Sequence, residues 1–141
     1  MKKFLVSLLA IFAISFSAVI AQNATSPEVE EGGFEVRVAG STTDNNIDYV
    51  RLIRQNNLIF EGVPEGYSFE KASIKFTKSS DDEAYDFVLK STFDNSILLV
   101  LNELSLDEGS SLIIDEILFK DKAGNLVKAN NDILLTNKIN Q

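Results

Sequence analysis

The side chains best suited to chemistry in this sequence are carboxylates, because its 141 residues contain no His and no Cys. Catalytic Ser–His and Cys–His arrangements, metal sites built on His or Cys, and disulfides are therefore excluded. Two acidic clusters remain as candidates, Asp81-Asp82-Glu83 and Asp115-Glu116. Each has a functional interpretation and a purely structural one.

Asp81-Asp82-Glu83 could bind Ca²⁺, since hard cations prefer clustered carboxylate oxygens. The segment lacks the Asp-x-Asp-x-Asp-Gly spacing of a calcium-binding loop. It also lies between two alternating apolar segments, where a hairpin connection is expected. We therefore predict a solvated hairpin tip here and no metal site.

Asp115-Glu116 could be the carboxylate pair of a glycan hydrolase, in which the two groups converge within about 5–10 Å across a cleft. Adjacent residues of a strand point to opposite faces, so this pair does not converge naturally. Apolar residues alternate on either side of it, but the two segments, 112–114 and 117–119, are out of phase by one residue. A β-bulge at this pair would bring both segments onto one face and leave two outward charges.

The aromatic residues Tyr67, Phe69 and Tyr85 could form a platform for a carbohydrate ring. Core packing explains aromatic residues at such spacing more often. We therefore predict no catalytic, cofactor-binding or metal-binding residues, and a protein that is not an enzyme. A carboxylate-only glycan hydrolase is the alternative.

Apolar and polar residues alternate with a period of two through most of the chain after residue 33. This pattern is typical of half-buried strands, and it is clearest in a predicted hairpin over 71–90. The predicted strands are 34–38, 47–53 with a bulge, 58–60, 71–77, 85–90, 112–119, 126–127 and 133–135.

One segment follows a helical period instead. Apolar residues at 97, 98, 100, 101 and 104 fall on one face of a helix. Asn95 or Ser96 can cap it by accepting a hydrogen bond from a free backbone N–H. We predict a short helix there, with a buried strand over 97–101 as the alternative.

Together these elements predict an all-β sandwich of about seven or eight short strands with one short helix. Polar turns separate the strands at spacings near ten residues. A small-ligand-binding β-barrel of the lipocalin type is a second alternative, and it would require a closed sheet around an apolar cavity.

The first 21 residues have the plan of a secretory signal peptide. Lys2 and Lys3 precede an apolar segment over 4–20, and small residues end at Ala21. An uncleaved membrane anchor over 4–20 is the alternative, although the segment is at the short end for a spanning helix. We predict cleavage after Ala21 and a location in the periplasm or outside the cell.

Cleavage there would leave a polar, flexible leader over 22–33, a β-sandwich domain over 34–141 and no membrane span. The whole chain has 21 acidic and 13 basic residues and a net charge of −8. Binding to DNA or RNA requires Lys and Arg to neutralise phosphates, so nucleic acid is excluded as a partner.

Several turn and strand motifs follow one another between Gly66 and Leu135. They are Ala72-Ser73-Ile74-Lys75-Phe76-Thr77, Leu101 with Leu104, Gly109-Ser110, Leu112-Ile113-Ile114-Asp115-Glu116-Ile117, Asp121 with Gly124, and a closing apolar strand. This order resembles the C-terminal domain of GldM, the gliding-motility and type IX secretion motor protein of Bacteroidota. The resemblance implies an immunoglobulin-like β-sandwich that binds a protein partner in the cell envelope.

The last predicted strand, Ile133-Leu134-Leu135, is the candidate surface for that partner. A terminal strand often lies at a sheet edge, where unpaired N–H and C=O groups can accept another strand. Edges are usually guarded by charge, and Lys128 and Lys138 flank this segment, but the segment itself is uncharged. We therefore predict that the partner binds a sheet edge and not a pocket.

Overall fold

The computed structural model of the chain describes residues 28–139. The predicted signal peptide over 1–21 and the first half of the predicted leader lie outside this range. Neither of the two helices in the described part is long and apolar enough to cross a membrane. The elements are β1 (Val29–Glu31), β2 (Arg37–Val38), β3 (Asn46–Ile47), α1 (Tyr49–Gln55), β4 (Phe60–Glu61), β5 (Ser68–Thr77), β6 (Ala84–Leu89), α2 (Asn95–Leu104), β7 (Ser111–Lys120), β8 (Leu126–Lys128) and β9 (Ile133–Asn137).

Seven of these strands form one mixed sheet, with the order β1-β8-β7-β5-β6 and with β9 and β3 branching from the first half of β7. Strands β2 and β4 form a separate antiparallel pair. The predicted all-β, sandwich-like fold is confirmed. The sheet is open, with β1 and β6 at the two ends of the main path, so the alternative of a closed β-barrel is wrong.

The period-two pattern separates the two faces of the sheet. In one cross-strand row, Ile74 lies opposite both Phe87 and Ile114; in the next, Lys75 lies opposite both Asp86 and Ile113. The first row faces the core and the second faces outward. The core-facing side shares one hydrophobic cluster with both helices and with β2, which includes Ile74, Phe76, Ile114, Phe119, Leu52, Leu101 and Val38.

The predicted bulge in β7 is confirmed. Residues Ser73 and Lys71 of β5 lie opposite Asp115 and Leu118, so β7 contains one extra residue between those positions. Glu116 adopts a φ of 47°, the left-handed conformation that such an insertion can require. The bulge restores the phase, because both flanking apolar segments then bury residues in the same core.

Helix α1 was not predicted, and the strand expected over 47–53 is wrong. The Asp48 side chain caps the helix by accepting from Val50 N–H at 2.9 Å, and Asn56 ends it with a φ of 61°. Tyr49 and Leu52 are the buried residues of this short helix, and they lie three positions apart, as one helical face requires. Helix α2 is confirmed, but the predicted capping residues Asn95 and Ser96 are wrong: Asp94 caps the helix by accepting from Ile97 N–H at 2.9 Å.

The segment predicted to be a flexible leader contains a strand. We expected a flexible segment over 22–33, but Val29–Glu31 forms β1, which pairs in parallel with β8. Gly32 N–H continues the attachment by donating to the Lys128 carbonyl at 2.8 Å. The side chains of β1 are exposed, so backbone hydrogen bonds hold this strand and its sequence carries no apolar signal.

Tyr49 of α1 is fully buried, and its hydroxyl donates a hydrogen bond to the Ser110 carbonyl oxygen at 3.3 Å. Burial removes water from the phenolate form and raises the pKa of Tyr49 from 10.0 to about 12. In the unfolded chain the Tyr49 phenol loses its proton near pH 10, whereas in the native protein the phenol stays protonated up to about pH 12. Unfolding therefore releases a proton between these two values, and stability must fall as pH rises through this window.

We expect the free energy of unfolding to fall by about 2–3 kcal/mol between pH 9.5 and pH 12 because of this group. The Tyr49→Phe variant has no proton to release and should lose that part of the pH dependence. Urea unfolding of both proteins across this range measures the difference. Lys78 and Lys128, whose pKa values are raised by neighbouring glutamates, contribute equally to both proteins and cancel. An identical alkaline decline in the variant would contradict the assignment.

Candidate functional site

Strand β9 contains the predicted binding segment, and its side chains alternate between core and solvent. Ile133 and Leu135 are buried, whereas Leu134 is 57% exposed. Leu134 lies directly opposite Ile113 of β7 on the outer face of the sheet. These two side chains give the edge an apolar border on that face.

The backbone of β9 alternates in the same way. On the side of β7, Asn137 N–H donates to the Ser110 carbonyl at 2.8 Å. In an antiparallel pair such contacts recur at every second residue, so Leu135 and Ile133 also direct their polar groups to β7. The N–H and C=O of Leu134 and Thr136 therefore point to the other side of β9.

On that other side, β3 covers only the end of β9. Thr136 N–H donates to the Asn45 carbonyl at 2.9 Å, and Lys138 N–H donates to the Ile47 carbonyl at 2.9 Å. Continuing this parallel ladder by two residues would require Asn45 N–H to reach Leu134, but it donates to the Thr42 carbonyl instead. Asn45 has a φ of 61°, which turns the chain away and leaves Leu134 uncovered by β3.

The opposite wall is formed by β2. Ala39 N–H donates to the Ile59 carbonyl beside β4, so Val38 and Val36 direct their N–H and C=O groups away from β4. The side chain of Asn131 satisfies Val36: its Oδ1 accepts from Val36 N–H at 2.9 Å and its Nδ2 donates to Val36 C=O at 2.8 Å. An amide side chain thus occupies one end of the space between β2 and β9.

The resulting feature, which we call the β9 groove, has a volume of about 480 Å³. Five apolar residues line it, of which Leu134 is the exposed one, whereas Val36, Val38, Ile133 and Leu135 are buried. The polar lining includes Arg37, Ser41, Thr42, Thr43, Asn45, Asn131 and Asp132. The uncovered backbone of a strand beside such a groove can bind an extended segment by hydrogen bonds.

Charges of both signs lie at the groove. The exposed Asp132 is at its rim. Arg37 also lines it, and the Arg37 guanidinium lies 3.7 Å from a Glu61 carboxylate oxygen and donates to the Ser41 carbonyl at 2.6 Å.

Asp81-Asp82-Glu83 forms the β5–β6 connection, as predicted. Asp81 accepts from the Glu83 N–H at 2.8 Å, and the Glu83 carboxylate lies 3.1 Å from the Lys78 ammonium group. These carboxylates therefore hold the hairpin. Within residues 28–139, no group of three acidic side chains is placed to hold a metal ion.

Asp115 and Glu116 line a shallow groove of about 670 Å³ on the outer face of the sheet, together with Asp86. Asp86 and Asp115 lie on strands separated by β5, which places their backbones about 10 Å or more apart. Glu116 is 3.1 Å from the Lys128 ammonium group and raises the pKa of that lysine. This arrangement stabilises the β7–β8 pair and gives no support to a hydrolase.

The three aromatic residues are not brought together into one platform. Tyr67 packs edge-on against Phe34 at 5.6 Å between ring centroids, and Phe69 packs against Phe119 at 5.9 Å. Tyr85 lies elsewhere, under the Lys78 ammonium group at 5.9 Å from its ring centroid. Tyr67 and Phe69 therefore belong to the core, and Tyr85 to the hairpin network.

Sequence reasoning identified one wall of the groove and missed the other. Val36 and Val38 had been assigned only as the buried face of a strand, and Asn131 carried no predicted role. The two adjacent asparagines Asn130 and Asn131 were the available signal, since amide side chains often replace backbone partners where a chain changes direction. No family model, curated protein sequence or solved structure matches this chain.

Proposed function

We propose that this chain is a non-catalytic, exported module of the cell envelope that binds a protein partner through the β9 edge formed by Ile133, Leu134 and Leu135. The proposal rests on two properties of Leu134, the direction of its backbone polar groups and the exposure of its side chain. Its backbone polar groups point away from β7 without being covered by β3, and its apolar side chain is exposed. An uncharged edge of this kind can form hydrogen bonds with a strand of another chain.

The location and the biological setting rest on the sequence. The signal-peptide pattern over 1–21 supports export. The resemblance of residues 66–135 to the C-terminal domain of GldM supports a role related to gliding motility or type IX secretion. That stretch includes β5–β8 and the first three residues of β9, and therefore the whole of the proposed edge.

The substitution Leu134→Lys tests the proposal. The side chain is exposed, so we expect the free energy of unfolding to change by less than about 0.5 kcal/mol. A charge at the edge should weaken partner binding about tenfold or more, because an incoming strand would have to bury or displace it. Capture of partners from envelope fractions by immobilised wild-type and variant protein, with quantitative mass spectrometry, measures the loss.

Val88→Lys is the matched control, because Val88 is an exposed apolar residue of β6 at the other end of the sheet, with an exposed fraction of 58%. It receives the same charge on the same outer face. The control should capture partners as the wild type does. Equal capture by the Leu134 variant, or equal loss in both variants, would contradict the assignment of the site to β9.

A further inference from the structure

We infer that the chain forms a symmetric dimer, in which β6 pairs in antiparallel fashion with β6 of a second copy about a two-fold axis at Val88. The inference goes beyond the proposed function and does not depend on it, because β5 and β7 separate β6 from β9. It rests on the open edge of β6, on the order of the charges along it and on a comparison with the other edges of the sheet.

Strand β6 ends the sheet with one side uncovered. Just before the strand begins, Lys78 N–H donates to the Glu83 carbonyl at 3.2 Å. In an antiparallel pair such bonds recur at every second residue, so Asp86 and Val88 direct their N–H and C=O groups away from β5. Within the described part of the chain, β5 is the only strand that pairs with β6. Asp86 and Val88 can therefore form backbone hydrogen bonds with another strand.

The side chains along this edge are accessible. Ala84, Asp86 and Lys90 are exposed, and Val88 is 58% exposed although it is apolar. On the opposite face of the strand, Phe87 is only half-buried. A strand added here would cover apolar surface of Val88 and Phe87 that is now in contact with water.

The charges on this edge are complementary to those of a second copy in one register. An antiparallel pair with its axis at Val88 places the residue two positions before Val88 opposite the residue two positions after it. Asp86 of each copy then lies opposite Lys90 of the other. Among residues 28–139 neither of them belongs to an ion pair, although Lys75 lies opposite Asp86 on β5. Opposite charges across strands stabilise a pair, and like charges destabilise it.

The same register satisfies the backbone. The two Val88 residues would exchange both of their hydrogen bonds across the axis. Leu89 lies opposite Ala72 in a pair that bonds to β5, so the Leu89 carbonyl points to β5. The Lys90 N–H belongs to the same planar peptide and points the other way, where it would donate to the Asp86 carbonyl of the second copy.

The neighbouring registers of the same pairing lack this complementarity. An axis at Asp86 would place the two Asp86 carboxylates opposite each other, and an axis at Ala84 would place Asp86 opposite Asp82. An axis at residue 85 or 87 would leave Asp86 opposite an uncharged residue. We therefore assign the axis to Val88.

The other edges are less suited to a second copy. Strand β1 is three residues long and contains Glu30 and Glu31, so pairing of two β1 strands would bring carboxylates together. Pairing of β6 with β1 or β9 of another copy would be heterologous, and such contacts continue from copy to copy into rings or filaments. Pairing of β6 with β6 uses the same surface twice and closes at two copies.

Reversal of the two charges tests the register. Asp86→Lys would place two ammonium groups opposite each other at each end of the interface, and Lys90→Glu would place two carboxylates there. We expect the wild-type protein to dimerise with a Kd on the order of 10–100 μM, as a small interface allows, and each variant to raise this Kd about tenfold or more. An equimolar mixture of the two variants restores both opposite-charge pairs, so their heterodimer should form with a Kd near that of the wild type. Analytical ultracentrifugation measures all three equilibria.

The two variants shift the net charge in opposite directions, so a general charge effect would strengthen one dimer and weaken the other. Lys122→Glu is the matched control, because Lys122 is exposed in the β7–β8 turn and should leave dimerisation unchanged. Val88→Lys should dissociate the dimer but still capture partners, since β9 is not part of the dimer interface.

Three results would overturn the inference: a wild-type protein that is still monomeric at about 1 mM, a charge variant that dimerises as tightly as the wild type, or a mixture that forms no heterodimer. Loss of partner capture by Leu134→Lys in a protein that is monomeric throughout would reject the dimer and leave the proposed function intact. A β6 dimer whose capture of partners is unaffected by Leu134→Lys would support the inference and reject the proposed function.

Discussion

Replacing Asn137 with alanine is expected to destabilise the protein by about 3–5 kcal/mol, a large share of the about 5–15 kcal/mol typical of a domain. Asn137 is a fully buried polar residue at the end of β9. Its Oδ1 accepts from Tyr49 N–H at 3.1 Å, and its Nδ2 donates to the carbonyls of Leu104 at 3.0 Å and Asp107 at 3.1 Å. One side chain thus satisfies the first turn of α1 and the end of α2.

The size of the effect follows from what alanine leaves behind. The Tyr49 N–H would remain buried without its partner, which costs about 1–3 kcal/mol. The Leu104 and Asp107 carbonyls would each lose one bond, worth about 0.5–1.5 kcal/mol, and keep the bonds from Asp107 N–H and Ser110 N–H. Urea unfolding followed by circular dichroism measures the loss. Asn102→Ala is the matched control, because the Asn102 amide only donates to a carbonyl on the exposed side of α2, and its loss should change stability by less than about 0.5 kcal/mol. A loss below 1 kcal/mol in the Asn137 variant would contradict this role.

Truncation of Phe119 to alanine should have a comparable effect, about 3–5 kcal/mol, through a cavity and not through hydrogen bonds. Phe119 is buried in β7, and its ring centroid lies 5.6 Å from Phe34, 5.8 Å from Phe60 and 5.9 Å from Phe69. Phe60 belongs to β4, so this cluster joins the small sheet to the large one.

Phe87→Ala is the control for this substitution, since Phe87 is only half-buried on the edge strand β6 and should lose less stability than Phe119. Hydrogen exchange adds a second measurement. In the Phe119 variant, the β2–β4 amides should exchange faster relative to those of β5–β7, because Phe60 of β4 loses one of its two aromatic contacts with the large sheet and keeps the contact with Phe69 at 5.1 Å. Uniform acceleration across all strands, or equal losses in the two variants, would contradict the linking role of the ring.

The sequence predicts the central strands well because each has one buried face and therefore a strict period of two. The β7 bulge is predictable for the same reason: two runs out of phase can share a core only if one residue is inserted, and Glu116 is that residue. Asn56 and Gly124 lie in turns with φ values of 61° and 85°, a conformation that Asn and Gly tolerate.

The pattern fails where an element is too short to display its period. Tyr49, Leu52 and Ile53 fit one helical face, yet Val50 next to them also permits a bulged strand. Asp48 and Gln55 were the signals that could have decided for α1, as a capping residue and as a good helix former. Strand β1 could not be predicted for a different reason. All of its side chains are exposed, so only backbone hydrogen bonds define it.

The candidate site was predicted for a partly different reason from the one the structure gives. Ile133-Leu134-Leu135 was expected at an edge because it belongs to the last strand. Strand β9 in fact lies between β7 and β3, and the edge opens only because β3 is two residues long. The second wall at Val36–Val38 depends on how two sheets meet, which no local pattern encodes.

Strands from the first part of the domain pair with strands from its last part, and this order determines how the polypeptide can fold as it is synthesised. Strand β1 pairs with β8, β3 pairs with β9, and the Asn137 side chain bonds Tyr49 across 88 residues of sequence. The pairings of β1 and β3 and the Asn137 bond to α1 therefore cannot form until β8 and β9 are present. Contacts of such high contact order form slowly, and an incomplete chain keeps its apolar strands exposed. Completion of this domain thus waits for β8 and β9, and the pairing of β9 with β7 and β3 is the step that closes the structure.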